Sequence, residues 1–195
     1  MKKWLPFITI AVIVVWAYGS IKGFNNTAVD YEEDAKTTWS NVESSYQRRA
    51  DLIPNLVATV KGYAAHESET LEAVIKARAA ATSTKIDAGN LSPEKMAQFQ
   101  KAQQGLSGAL GRLMVVAERY PDLKANTNFL ELQSQLEGTE NRINVARNRF
   151  NNGVNVYNKH IKIFPNSVFA GWLGFEEMAR YQAAEGSEKA PEVKF

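Results

Sequence analysis

The sequence predicts an all-α fold, an antiparallel helical bundle carried on an N-terminal transmembrane helix. Three observations carry that expectation. Apolar residues recur at steps of three and four between about residue 28 and Ile161. No stretch alternates with period two, so no sheet is expected. Residues 4–21 contain no charged side chain, the signature of a segment that crosses a membrane.

The apolar segment runs from Trp4 to Ile21, 18 residues, about 27 Å as a helix against a bilayer core of about 30 Å. Lys2 and Lys3 precede it, whereas Asp30, Glu32, Glu33 and Asp34 follow Lys22. That asymmetry keeps residues 1–3 cytoplasmic and sends the following domain across the membrane. A cleaved signal peptide is the alternative, with the small residues of "WAYGS" as its site. The bulky Trp16 and Tyr18 argue against cleavage, and Trp4 and Trp16 suit the two bilayer interfaces. The expectation is a single-pass membrane protein, held in the lipid through residues 4–21, with its bundle outside the cytoplasm. Residues 22–38 read as a juxtamembrane helical stalk, 39–182 as the bundle, and 183–195 as a polar disordered tail.

Composition narrows the functions available. The formal net charge is +2 and basic residues are interspersed with acidic ones, which gives no footprint for a nucleic acid. The absence of cysteine excludes a disulfide framework, a thiol nucleophile and thiolate-bound metals.

The first bundle helix is expected over about 28–80, burying Trp39, Val42, Tyr46, Ile53, Leu56, Val60, Tyr63, Leu71 and Val74. Pro54 interrupts it without shifting the apolar phase. Proline removes one backbone hydrogen bond and crowds the carbonyl of Ala50. Asp51, three residues earlier, is the expected N-cap of a restarted helix. Arg49 falls on the buried face between Tyr46 and Ile53, so it requires a carboxylate partner. Its neighbours Arg48 and Asn55 belong to the same polar cluster.

A polar loop then leads to Ser92–Pro93–Glu94, an N-cap followed by proline in the first turn. The second helix uses Met96, Phe99, Leu106, Leu110, Leu113 and Ala117. The third begins near Asn126 or Thr127 and carries a heptad-like stripe from Phe129 to Ile161. "FPN" at 164–166 stops it. The aromatic stretch "SVFAGWLGFEEMARY" is expected to form a short closing helix or a loop over the bundle end.

Four patterns invite a chemical reading. His66, Glu67 and Glu69 stand in "HESET", which lacks the second histidine of a zinc-binding HExxH. Glu67 lies on the core stripe and is expected to pair with an arginine. "GLSGALG" at 105–111 lacks the last glycine of a nucleophile elbow. Asn141, Asn144, Asn148, Asn151, Asn155 and Asn158 step by 3, 4, 3, 4 and 3 along one edge of the third helix. Asparagine is a mediocre helix former. The edge is therefore either simply solvated or a polar seam in which side-chain amides set the register of a contact, including one between copies. Glu140 and Arg142 are the expected partners of Arg49 or Glu67. No catalytic residue, cofactor or metal is expected.

Long motifs carry a family resemblance. "RRADLIPNLVATVKGYAAHE", "TLEAVIKAR", "YPDLKANTNFLELQSQLEGTENRINVARNRFN", "VYNKHI" and "FP" closely resemble the LemA family. The resemblance implies a membrane-anchored, antiparallel four-helix bundle with no established enzymatic activity. It also implies, as neighbours, membrane zinc peptidases or membrane proteins with a TPM domain. A non-enzymatic scaffold that binds other proteins is the leading reading, with self-association through the asparagine seam as its sharper form. An accessory subunit of such a peptidase or TPM-domain protein is the alternative.

Overall fold

The structure, a computed structural model, describes residues 4–89 and 91–182. Residues 1–3 and the tail at 183–195, expected to be cytoplasmic and disordered respectively, lie outside the described residues. The order is α1 (Leu5–Tyr63), α2 (Ser68–Ser83), α3 (Pro93–Ala117), α4 (Pro121–Lys124), α5 (Thr127–Lys162) and α6 (Asn166–Leu173). The four long helices α1, α2, α3 and α5 make an antiparallel bundle, and there is no strand among the described residues.

Two helix starts are capped by side chains, Ser92 as expected and Asn126 as a finding of the structure. Ser92 accepts from the Lys95 N–H at 3.4 Å and Asn126 from the Phe129 N–H at 3.0 Å. α6 ends at Gly174, whose φ of 76° is the left-handed conformation that glycine adopts freely.

The core divides into three clusters along α1. Nearest the apolar end, Phe24 and Ala28 pack with Tyr157, Ile161 and Ala170. In the middle, Trp39, Tyr46, Phe99 and Phe150 form an aromatic cluster, with ring centroids 5.1–5.3 Å apart. At the far end, Ile53, Leu56, Val60, Leu106, Leu113 and Phe129 form an aliphatic one. α5 lies antiparallel against α1 over its length and approaches closely where a Cβ on Gly153 would stand 3.5 Å from the Ala35 Cα.

The structure corrects two boundaries. The expected helix over 28–80 is two helices, because the chain reverses at Ala64–Glu67. The spacing concealed this: Val60, Ala64, Leu71 and Val74 all bury in the far cluster, so the turn keeps the phase of the stripe. Residues 22–38 are not a free stalk, since Phe24, Ala28 and Ala35 are already buried. Before Phe24 the picture changes. Phe7, Val12, Val15 and Trp16 are 62–72% exposed, on the one described helix long and apolar enough to cross a membrane.

Candidate functional site

Pro54 sits inside an unbroken α1 and does not restart it. Asp51 is accordingly not an N-cap; it is exposed and accepts from the Gln47 amide one turn earlier at 2.7 Å. The correction has a physical basis in α2. Without an N–H at position 54, the Ala50 carbonyl lacks its helical donor, and the Arg78 Nε–H fills the vacancy at 2.8 Å. Proline thus frees a buried acceptor that ties α2 to α1.

One residue earlier, Arg49 is 3% exposed and spans three helices. Its Nη1 donates to Glu140 of α5 at 3.1 Å and to Ser107 of α3 at 3.0 Å. Its Nη2 donates to the Gln103 side chain at 2.8 Å. The Gln103 amide in turn donates to the Ala81 carbonyl of α2 at 3.2 Å. The guanidinium lies 5.0 Å from the centre of the Tyr46 ring, a cation–π distance. Glu140 is therefore the carboxylate of Arg49. Glu67 is bound instead by Arg119 at 3.1 Å and the Tyr120 hydroxyl at 3.0 Å. Arg142 is exposed, in an open groove with Arg48 and Arg149, and takes no part in either pair.

The asparagine edge meets neither bulk water alone nor another helix. After α6 the chain runs back along α5 as an extended strap, residues 174–182. Asn158 accepts from the Met178 N–H at 3.0 Å and donates to the Met178 carbonyl at 2.9 Å. Asn151 does the same to Tyr181, at 2.8 and 2.9 Å. Each side-chain amide thus pairs with backbone as a neighbouring β-strand would. The periods match: seven helical residues advance about 10.5 Å and three extended residues about 10 Å. Asn155 accepts from Arg180 at 2.8 Å. Tyr181 is further fixed by the Tyr46 hydroxyl at 2.7 Å and by Arg147, 3.9 Å over its ring. Burial, with the Tyr181 hydroxyl alongside, pushes the Tyr46 phenol far above its ordinary range. Asn141, Asn144 and Asn148, beyond the strap, are exposed and have no hydrogen-bond partner among the described residues.

Other candidates stay apart. His66 and Asn55 are exposed, and His160 stacks on Phe24 at 5.2 Å at the opposite end. No group of three metal-ligating side chains occurs among the described residues. An open groove of about 650 Å³ is lined by Glu43, Gln47, Arg48, Asp51 and Lys85. It mixes both charge signs without a nucleophile beside a base. Burial, the leading cause, raises the Glu43 carboxyl against the pull of the Trp39 indole.

These features are internal ties between helices. A profile of the LemA family matches residues 38–195, the bundle, the strap and the sequence beyond them. The chain belongs to the LemA family. It is 29% identical over 178 residues to magnetosome protein MamQ 2 of Paramagnetospirillum magneticum, covering 80% of this chain and 64% of the relative. MamQ of Magnetospirillum gryphiswaldense is 29% identical over 174 residues, covering 78% and 62%. Protein LemA of Metamycoplasma hominis is 24% identical over 163 residues, covering 84% and 71%. The chain spans less than two-thirds of the length of the MamQ relatives. Family membership and the long apolar helix make this a LemA-type membrane-associated protein.

Proposed function

We propose that the protein is a non-enzymatic, membrane-anchored scaffold that holds its bundle outside the cytoplasm and associates with further copies of itself. One observation carries this reading: the α5 asparagine ladder captures extended backbone, and its next rung is open. Asn144 lies seven residues before Asn151, as Asn151 lies seven before Asn158, so it continues the same register past the strap. Asn148 flanks it. Side-chain amides that take backbone rather than side chains suit a surface that adds a further segment of chain.

The continuity of α1 supports the same reading. Because no break separates the apolar segment from the bundle, the ladder is presented on a rigid stem. Relatives named for the magnetosome accord with a part in a larger assembly. The two lysines before the apolar segment and the acidic residues after it favour the extracytoplasmic face.

The test is the mass of the full chain solubilised from membranes in mild detergent. The wild type is expected well above its 21.7 kDa protomer, and Asn144→Ala with Asn148→Ala is expected to move it toward that value with helicity intact. A protomer-sized wild type would refute self-association. Copurification of a membrane peptidase whose activity depends on this chain would favour an accessory subunit instead.

A further inference from the structure

The membrane-proximal end of the bundle leaves a row of apolar side chains uncovered. Val168 and Trp172, four residues apart on one face of α6, are 46% and 78% exposed. Phe164, in the turn just before α6, is 80% exposed, so an uncovered apolar stripe marks this end. Ile163 and Leu173 flank it at 48% and 45%. The opposite side of α6 is the docked one, with Ala170 buried in the cluster around Phe24. The Phe169 ring lies 5.8 Å from the Phe24 ring.

Phe24 fixes the height of this stripe. It is three residues beyond Ile21, where the uncharged segment ends, about 4.5 Å along the helix axis. α5 descends to this level, the chain turns through Ile163–Pro165, and the strap climbs away again. α6 is therefore the lowest element of the bundle, at the depth where hydrocarbon gives way to headgroups. Its sequence, NSVFAGWL, contains no charged residue; Lys22 and Lys159 stand on exposed positions at this end, and Lys162 is paired with Glu177 at 2.6 Å. An aromatic–aliphatic face with a basic margin matches an interfacial helix, and tryptophan suits the headgroup boundary.

We propose that the Phe164–Val168–Trp172 stripe is a second membrane contact, which lies in the lipid interface beside the spanning helix. The inference rests on the membrane-anchored reading above. With two points of attachment the bundle is held at a fixed tilt on the bilayer surface, where a single helix would let it pivot.

The chain has no cysteine, so single substitutions can carry a spin label at one site. The experiment uses the full chain in vesicles of phosphatidylcholine and phosphatidylglycerol, with labels at Val12→Cys, Phe164→Cys, Trp172→Cys and Leu130→Cys. Collisions with lipid-soluble oxygen are compared with those with an aqueous nickel chelate. Expected is an oxygen-to-nickel ratio at 164 and 172 several-fold above that at 130 and below the mid-bilayer value at 12. Ratios at 164 and 172 equal to that at 130, with 12 in lipid, would overturn the proposal alone. Position 12 in water would overturn the anchor. Shielding of 172 from both reagents would mean that a second copy covers the stripe, and would also overturn the lipid assignment.

Discussion

Replacing Arg78 by Met should expose the link between Pro54 and the α1–α2 contact. The Arg78 Nε–H donates at 2.8 Å to the Ala50 carbonyl, on a residue only 3% exposed. A hydrogen bond from a charged donor contributes about 1.5–3 kcal/mol, and its loss here leaves a buried acceptor unpaired. Arg78→Met, which keeps the aliphatic stem, should therefore destabilise by about 2 kcal/mol. Pro54→Ala supplies an N–H four residues after Ala50 and removes a helix-interior proline, so it should stabilise by about 1–3 kcal/mol. In that background the carbonyl keeps its helical donor, and Arg78→Met should cost less than about 1 kcal/mol. The double-mutant cycle predicts a coupling of about 1–2 kcal/mol between two residues 24 apart in sequence. Chemical denaturation of the full chain in micelles, followed by far-ultraviolet circular dichroism, gives all four corners. Equal cost of Arg78→Met in the two backgrounds would refute the account of the proline.

Three further outcomes follow from the same geometry. Arg49→Met should cost about 2–3 kcal/mol, because charged hydrogen bonds to Gln103 and Glu140 go together. Arg49→Lys should recover less than half of it, since a point charge cannot reach acceptors on two helices as the fork does; full rescue in denaturation midpoints would show that charge alone matters. Asn151→Ala with Asn158→Ala should speed amide exchange across residues 175–182 while exchange in α1 and α5 stays unchanged, and an unaltered strap would mean the four ladder bonds do not hold it. Glu43 should make the protein less stable as pH rises. A carboxyl held above its ordinary value of 4.5 binds protons more readily folded than unfolded, so its contribution falls from pH 4.5 upward through the folded value. Glu43→Gln should raise the midpoint at pH 7 and give no gain below pH 4.5, and a gain of equal size at both would remove burial of the charge as its cause.

Elements with a repeating physical signal were legible in the sequence. The stripe from Phe129 to Ile161, the Ser92 cap, the helix start near Asn126 and the apolar segment at 4–21 each follow from local chemistry, and Arg49 announced its need of a carboxylate by falling on a buried face. Other features depend on where distant segments meet. Pro54 signalled a lost hydrogen bond, but local reasoning supplied the nearest cap, Asp51, whereas the donor came from Arg78 on another helix. The reversal at Ala64–Glu67 was hidden because a turn of that length preserves phase. The asparagine periodicity was visible, and so was its need of a partner. That the partner is extended backbone was hidden, although the matching steps of seven and three residues were present between 151–158 and 178–181.

The concentration of polar ties near Arg49 answers a problem that the apolar stripes create. The α5 stripe repeats every seven residues through Ile143, Phe150 and Tyr157, so sliding α5 by one heptad along α1 would still bury apolar against apolar. The ladder has the same ambiguity, since Asn144, Asn151 and Asn158 are equivalent by spacing. Register must therefore come from features that do not repeat. Arg49–Glu140 fixes α5 on α1, Arg49–Gln103 fixes α3, and Arg78 on the Ala50 carbonyl fixes α2, all within one turn of α1. Tyr181, between Tyr46 and Arg147, does the same for the strap. A slip of one heptad would leave the buried Arg49 guanidinium without its carboxylate, a cost that apolar packing does not impose on such a slip. The polar layer thus lies between the aromatic and aliphatic clusters for a physical reason: there it penalises every wrong register of all four long helices at once.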